Sequence, residues 1–134
     1  QPLDSTRFCC ERPAGLVLGV TVPDASLACG VRAVSRTSHS RKSLVVAASA
    51  RALAPAVSGL RLVASDCRGQ VLRLAGIERA LEGAALPPKE KLELMVRGAF
   101  SPAADMHASA AFKAHLAGVF AADILHELAG KGAA

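Results

Sequence analysis

The sequence predicts an α+β domain, a three- or four-stranded antiparallel sheet with about three helices packed on one side. Three observations carry this. Apolar residues alternate with polar ones through much of the first half, the signature of half-buried strands. After Gly69 the apolar period changes to about 3.6, that of a helix with one buried face. Strands come first and helices after, with no βαβ alternation, which disfavours a parallel sheet.

Residues 1–14 are mixed and polar, with Pro13, and read as an irregular lead-in. Residues 16–22 are β-branched and apolar and stop at Pro23, which reads as a strand followed by a turn over 23–26. We therefore divide the chain into a lead-in with one strand (1–27) and a main domain (28–134). Residues 30–36 alternate, so Arg32 and Arg36 fall on one face. The polar stretch 37–42 predicts a loop. The apolar run 43–50 suits a central strand, Pro55 and Gly59 mark a turn, and 60–65 alternates again. Short connections between these strands imply an antiparallel meander.

Val71, Leu72, Leu74, Ile77 and Leu81 fit a first helix, capped at its C-terminus by Gly83. Pro87 and Pro88 open a second, with Leu92, Met95, Val96 and Ala99 as its apolar stripe, and Ser101-Pro102 ends it. Ser109 is the expected N-cap of a third. Phe112, Leu116, Val119, Phe120, Ile124 and Leu128 give that helix its expected buried face. From 110 to 128 it would run roughly 28 Å, enough to cross the sheet.

The 134 residues are the size of one domain. Hydrophobic residues make up 51%, so a core can be buried; aromatics make up 3%, so Ala, Leu and Val must build it. The scarcity of aromatics also argues against a surface that stacks on nucleic-acid bases. The net charge is +5, with its tightest cluster at Arg32, Arg36, Arg41 and Lys42. That cluster reads either as a solvated face or as a site for an anionic partner.

Cys9, Cys10, Cys29 and Cys67 form no C-x-x-C pair, and adjacent Cys9 and Cys10 point apart in an extended chain. The apolar runs are too short to span a bilayer, so no membrane association is expected. A cytoplasmic protein with reduced cysteines is expected. The chain begins at Gln1 rather than Met, which reads as a piece of a longer protein. No G-x-S-x-G elbow, G-x-G-x-x-G fingerprint or P-loop is present. No two of His39, His107, His115 and His126 stand four apart, so no metal site is expected. Asp105 reads as a turn cap rather than a base. Composition and spacing alone specify a small α+β module without an active site.

One segment says more. In 105–119, Asp105, Ser109, Ala110, His115, Leu116, Ala117 and Val119 occur in fixed order, with Phe112 at an aromatic position, Lys113 at a basic one and His107 in place of an Arg. This resembles the closing motif D-x-R-(A/G)-S-A-x-Y-R-x-H-L-A-x-V of the FAD-binding medium subunit of the xanthine dehydrogenase/CO dehydrogenase flavoprotein family. Residues 71–83, with Ile77, Glu78, Ala80, Leu81 and Gly83, are similar to that family's V-R-x…E-x-A-L-x-G segment. Residues 20–23 and 31–36 are similar to its strand ending in Pro and its F-x-K-x-S-R-R segment. The resemblance spans roughly residues 16–129.

It implies the C-terminal domain of the flavin subunit of a molybdenum hydroxylase, a three-stranded sheet with three helices. Such a domain helps to complete the flavin site as electrons pass from iron-sulfur clusters to an acceptor. The FAD would be held mostly by an upstream FAD-binding domain, and the isolated chain would carry no cofactor and no activity. Molybdopterin and iron-sulfur subunits would be its further partners. The loop after the F-x-K-x-S-R-R strand faces the flavin in relatives, which makes Arg32, Arg36 and Ser40 the expected cofactor-binding residues. A cation there would stabilise negative charge on the reduced flavin. Two readings stay open, since Arg32 and Arg36 could instead merely coat the sheet. The loop also departs from the family at Thr37, Ser40 and Lys42, so a subunit-docking module without a flavin role is the alternative. Without the upstream domain, a bare sheet face is expected to drive self-association.

Overall fold

The computed structural model describes residues 14, 16–19, 27–37, 40, 42–66, 68, 71–106 and 108–132. Strands β1 (Ala28–Val34), β2 (Leu44–Ala50), β3 (Arg61–Asp66) and β4 (Val71–Arg73) form an antiparallel sheet in chain order. Helices α1 (Ala75–Leu81), α2 (Lys89–Ala99) and α3 (Ala110–Gly132) follow. The fold is α+β, with three helices against a four-stranded sheet.

The apolar run of β2 makes it an interior strand, paired on both sides. Leu44, Val46, Ala48 and Ala50 are buried, and the residues between them are half-buried. Leu62 and Ala64 of β3 continue the buried row. Helix α3 crosses β1 and β2 and packs along α2. Lys89 reaches Asp123 at 2.6 Å, and Glu93 lies against Gly118, so α2 and α3 run antiparallel.

Three expectations are corrected. Residues 71–73 are a strand, not the first turn of a helix: Val71 pairs with Ser65 and Arg73 with Val63. A short apolar run fits either period. Here the edge of β3 offers backbone partners, and the helix starts only after Leu74, whose carbonyl accepts Ile77 N–H at 3.0 Å and Glu78 N–H at 3.1 Å. Residues 16–19 belong to no strand, and Leu16 and Leu18 are 86% and 93% exposed. Nothing apolar covers them, so their hydrophobicity has no strand to stabilise. The rest of that expected strand, and the turn at 23–26, lie outside the described residues.

The third correction concerns the faces of the helices. Phe112 is 52% exposed and Leu116, Val119 and Phe120 are half-buried, whereas Ala117, Ala121, Ala122, Ile124 and Leu125 are sealed. The expected face holds at Ile124 and Leu128, which are buried, and at Leu116 and Phe120, which pack against the core, but Phe112 turns outward, and Ala117, Ala121 and Ala122 share the buried face where neighbouring backbones come close. A Cβ on Gly118 would stand 2.7 Å from the carbonyl oxygen of Glu93. One on Gly30 of β1 would meet Ile124 Cγ2 at 2.8 Å. Likewise Ala99 of α2 is exposed, and Phe100 just beyond it is buried instead.

Glu78 of α1 is buried with its carboxylate fully engaged. It accepts Leu62 N–H at 2.9 Å and both Nε and Nη2 of Arg73, the latter at 2.7 Å. Arg61 stands 3.6 Å away. Burial pushes this carboxyl up, but Arg73, the Leu62 N–H and Arg61 together hold it below the ordinary glutamate value. A lowered folded-state pKa stabilises the fold above the unfolded-state value, and that contribution is lost as pH falls through the folded one.

Two measurements check this account of the packing. Gly118→Leu should cost about 2 kcal/mol or more by overpacking, while Gly98→Ala, whose added methyl meets nothing, should gain roughly 0.5–1 kcal/mol. Denaturant titration of both variants reads the opposite signs. Glu78→Gln should lose roughly 1–3 kcal/mol at neutral pH. Its deficit should shrink as the pH drops into the range where native Glu78 protonates, and a deficit independent of pH would contradict the ion-pair account.

Candidate functional site

The segment from Asp105 to Lys113 folds back on itself before α3 begins. Asp105 N–H donates to the Ala108 carbonyl at 3.1 Å, and Asp105 Oδ1 accepts Ala108 N–H at 2.8 Å. This is the turn-capping role expected of Asp105. Ser109 caps α3 as expected, its Oγ accepting Phe112 N–H at 3.2 Å. Lys113 is 1% exposed. Its ammonium donates to the Ala103 carbonyl at 2.8 Å and to Asp105 Oδ2 at 2.7 Å. A charge so buried is tolerated only because it is paired and hydrogen-bonded.

This clasp places Met106, Ala108 and Phe112 against the end of β1 and the start of β2. With Val34, Ser35, Arg36 and Ser43 they enclose an open cleft of about 360 Å³. One wall carries the Phe112 ring, and the others carry a guanidinium and two hydroxyl-bearing residues. Such a site suits a flat aromatic ring with a polar edge, since the ring stacks while donors meet its heteroatoms.

The expected residues take different places. Arg36 lines the cleft. Arg32 sits within β1 and donates to Glu127 of α3, which Lys131 also engages at 2.6 Å. Those two partners, Lys131 first, hold the Glu127 carboxyl below its ordinary value. Ser40 organises the loop: its Oγ accepts Thr37 N–H at 2.9 Å and donates to the Thr37 carbonyl at 3.0 Å. Ser35 Oγ likewise donates to the Thr37 carbonyl at 2.9 Å and accepts from Lys42 at 3.1 Å. Neither Arg32 nor Ser40 lines the cleft. Sequence reasoning missed Ser35, Ser43 and Met106, and took Phe112 for core. The aromatic position of the closing motif was the signal available for Phe112.

Asp105→Ala should destabilise the fold by roughly 3–5 kcal/mol, because it leaves Lys113 buried without its counter-charge. Adding Lys113→Met should recover part of that loss, which chemical denaturation of the single and double variants would read.

No family model and no curated protein sequence matches the chain. Solved structures do. The chain is similar to one in carbon monoxide dehydrogenase from Hydrogenophaga pseudoflava lacking the Mo-pyranopterin moiety of its molybdenum cofactor, with a TM-score of 0.67 and 23% identity over 80% of this chain and 38% of that one. It is similar to one in the cyanide-inactivated Cu,Mo-CO dehydrogenase, with a TM-score of 0.69 and 15% identity over 82% and 39%. It is also similar to one in quinoline 2-oxidoreductase from Pseudomonas putida 86, with a TM-score of 0.67 and 13% identity over 82% and 39%. At these identities the likeness is one of fold, and the chain spans about two fifths of the length of each of those chains.

Proposed function

We propose that this chain is the C-terminal domain of the FAD-binding subunit of a molybdenum hydroxylase, and that its cleft completes the flavin site. One observation carries the reading. Two of the stretches that resemble the flavoprotein family, 31–36 and 105–119, lie far apart in sequence, and the fold brings Arg36 and Phe112 to one cleft. The fold is shared with chains of oxidoreductases that use molybdenum chemistry, which supports the same reading.

The residues present fit the edge of an isoalloxazine ring. Phe112 offers an aromatic ring and Arg36 a cation, and Ser43 lines the cleft beside them, while the Ser35 hydroxyl is held by the Thr37 carbonyl and Lys42. The flavin itself supplies the redox chemistry, accepting electrons from iron-sulfur clusters and handing them on. Arg36 would favour negative charge on the ring as it is reduced. The FAD phosphates and most of the ring would be held by an upstream domain. The face of the sheet away from the helices, with exposed Val31 and half-buried Val45, Ala47 and Val63, would be covered by that domain.

A second reading, a docking module without a flavin role, draws on two facts. The Arg32 cation is neutralised by Glu127, and the Ser40 hydroxyl is used within its own turn. Flavin titration of the whole subunit separates the two. Arg36→Ala and Phe112→Ala should each weaken FAD retention about tenfold, the scale of one charged or stacking contact. Arg97→Ala on the exposed side of α2 should leave it unchanged. Unaltered retention in both cleft variants would favour the docking module.

A further inference from the structure

A second cleft lies at the opposite end of the sheet, where β2 ends, β3 begins and β4 runs into α1. It is open, about 610 Å³ in volume, and Arg51, Arg61, Arg73 and Arg79 line it together with Glu78 and Glu82. Four cations against two carboxylates leave an excess of two positive charges. Both carboxylates are already committed. Glu78 is held by Arg73 and the Leu62 N–H, and Glu82 accepts Gly59 N–H through its two oxygens at 3.1 and 3.2 Å.

The remaining guanidiniums keep donors in hand. Arg61 touches Glu78 only at 3.6 Å, and Arg79 donates Nε to the Ala75 carbonyl at 3.3 Å. The Arg51 backbone N–H donates to the Ser58 carbonyl at 3.0 Å, but its guanidinium makes no hydrogen bond or ion pair among the described residues. It is nonetheless positioned. Its stem lies across Gly59, where a Cβ would stand 3.0 Å from Arg51 Cγ, and Gly59 has φ +61. Glycine is required there twice, for the left-handed backbone and for the space that the arginine fills. A side chain laid down this way loses less freedom when it meets a ligand.

We propose that this cleft is an anion site that takes a small phosphate-bearing ligand of at least two negative charges, engaged by Arg51, Arg61 and Arg79. Planar guanidinium forks match phosphate oxygens in pairs, and three of them converging on one concavity suit a compact polyanion better than an extended one. The volume is that of a small-molecule site. The cleft lies at the other end of β2 from Arg36 and Phe112, so the inference stands apart from the flavin reading.

Isothermal titration of the full chain with inorganic pyrophosphate tests it, at fixed ionic strength with chloride as the balancing anion. Saturable one-site binding is expected. Arg51→Gln and Arg79→Gln should each weaken it about tenfold, the loss of one charge-assisted contact. Arg97→Gln, outside the cleft, should not weaken it, and circular dichroism should show all three variants folded. Absence of saturable binding, affinity unchanged from the unsubstituted chain in either cleft variant, or an equal loss in Arg97→Gln would overturn the proposal.

Discussion

A buried lysine ties the domain together at the end that carries the Arg36–Phe112 cleft. The Lys113 ammonium cannot reach water, so the fold must bring acceptors to it, and the Ala103 carbonyl and the Asp105 carboxylate serve. Meeting that demand fixes the path of the chain from the end of α2 to the start of α3. Asp66 adds a second tether, accepting Ala103 N–H at 3.1 Å from the end of β3. The turn at Asp105, the Ser109 cap and the outward direction of Phe112 follow from this path. Without the pair, the segment that walls the cleft would keep the Asp66 tether but lose the charged contact that anchors it to α3.

Small residues set the geometry of the rest. Helix α3 meets α2 through Gly118 and meets β1 where Ile124 fills the space above Gly30. Ala117, Ala121 and Ala122 let it lie close. Close approach multiplies dispersion contacts among modest side chains, which is how a chain with four phenylalanines and no other aromatic residue fills its core. It also turns larger residues such as Phe112 outward, where one becomes available to a ligand.

Much of the fold was legible in the sequence. Alternation located β1 and β3, and a continuous apolar run located β2, which is paired on both sides. Pro87, Pro88, Ser109 and Gly83 marked helix ends through local backbone chemistry, and Gly83 adopts φ +76 as a C-terminal cap requires. Three features were not legible. Strand β4 is three residues long and owes its existence to the open edge of β3, which no local pattern reveals. On α3, where Ile124 and Leu128 are buried as expected, the outward turn of Phe112 and the burial of Ala117, Ala121 and Ala122 depend on how close the partner backbones come. The burial of Lys113 depends on acceptors ten and eight positions earlier, a relation visible only once the chain has turned. At the candidate site, Arg36 was named from the alternating stretch 30–36, and it lines the cleft two residues beyond the end of β1. Ser43 and Met106 join it only through the tertiary clasp.

Fold likeness alone assigns no chemistry. In this domain two of the motif-like segments, 31–36 and 105–119, bring a guanidinium and an aromatic ring to one cleft, while Arg32 bridges sheet to helix. The most direct measurement is a crystal structure of this chain together with the proposed FAD-binding domain and FAD. The account predicts the isoalloxazine edge in van der Waals contact, about 4 Å, with Phe112 and Arg36. A ring seated elsewhere, with the cleft filled by another subunit's side chains, would contradict it.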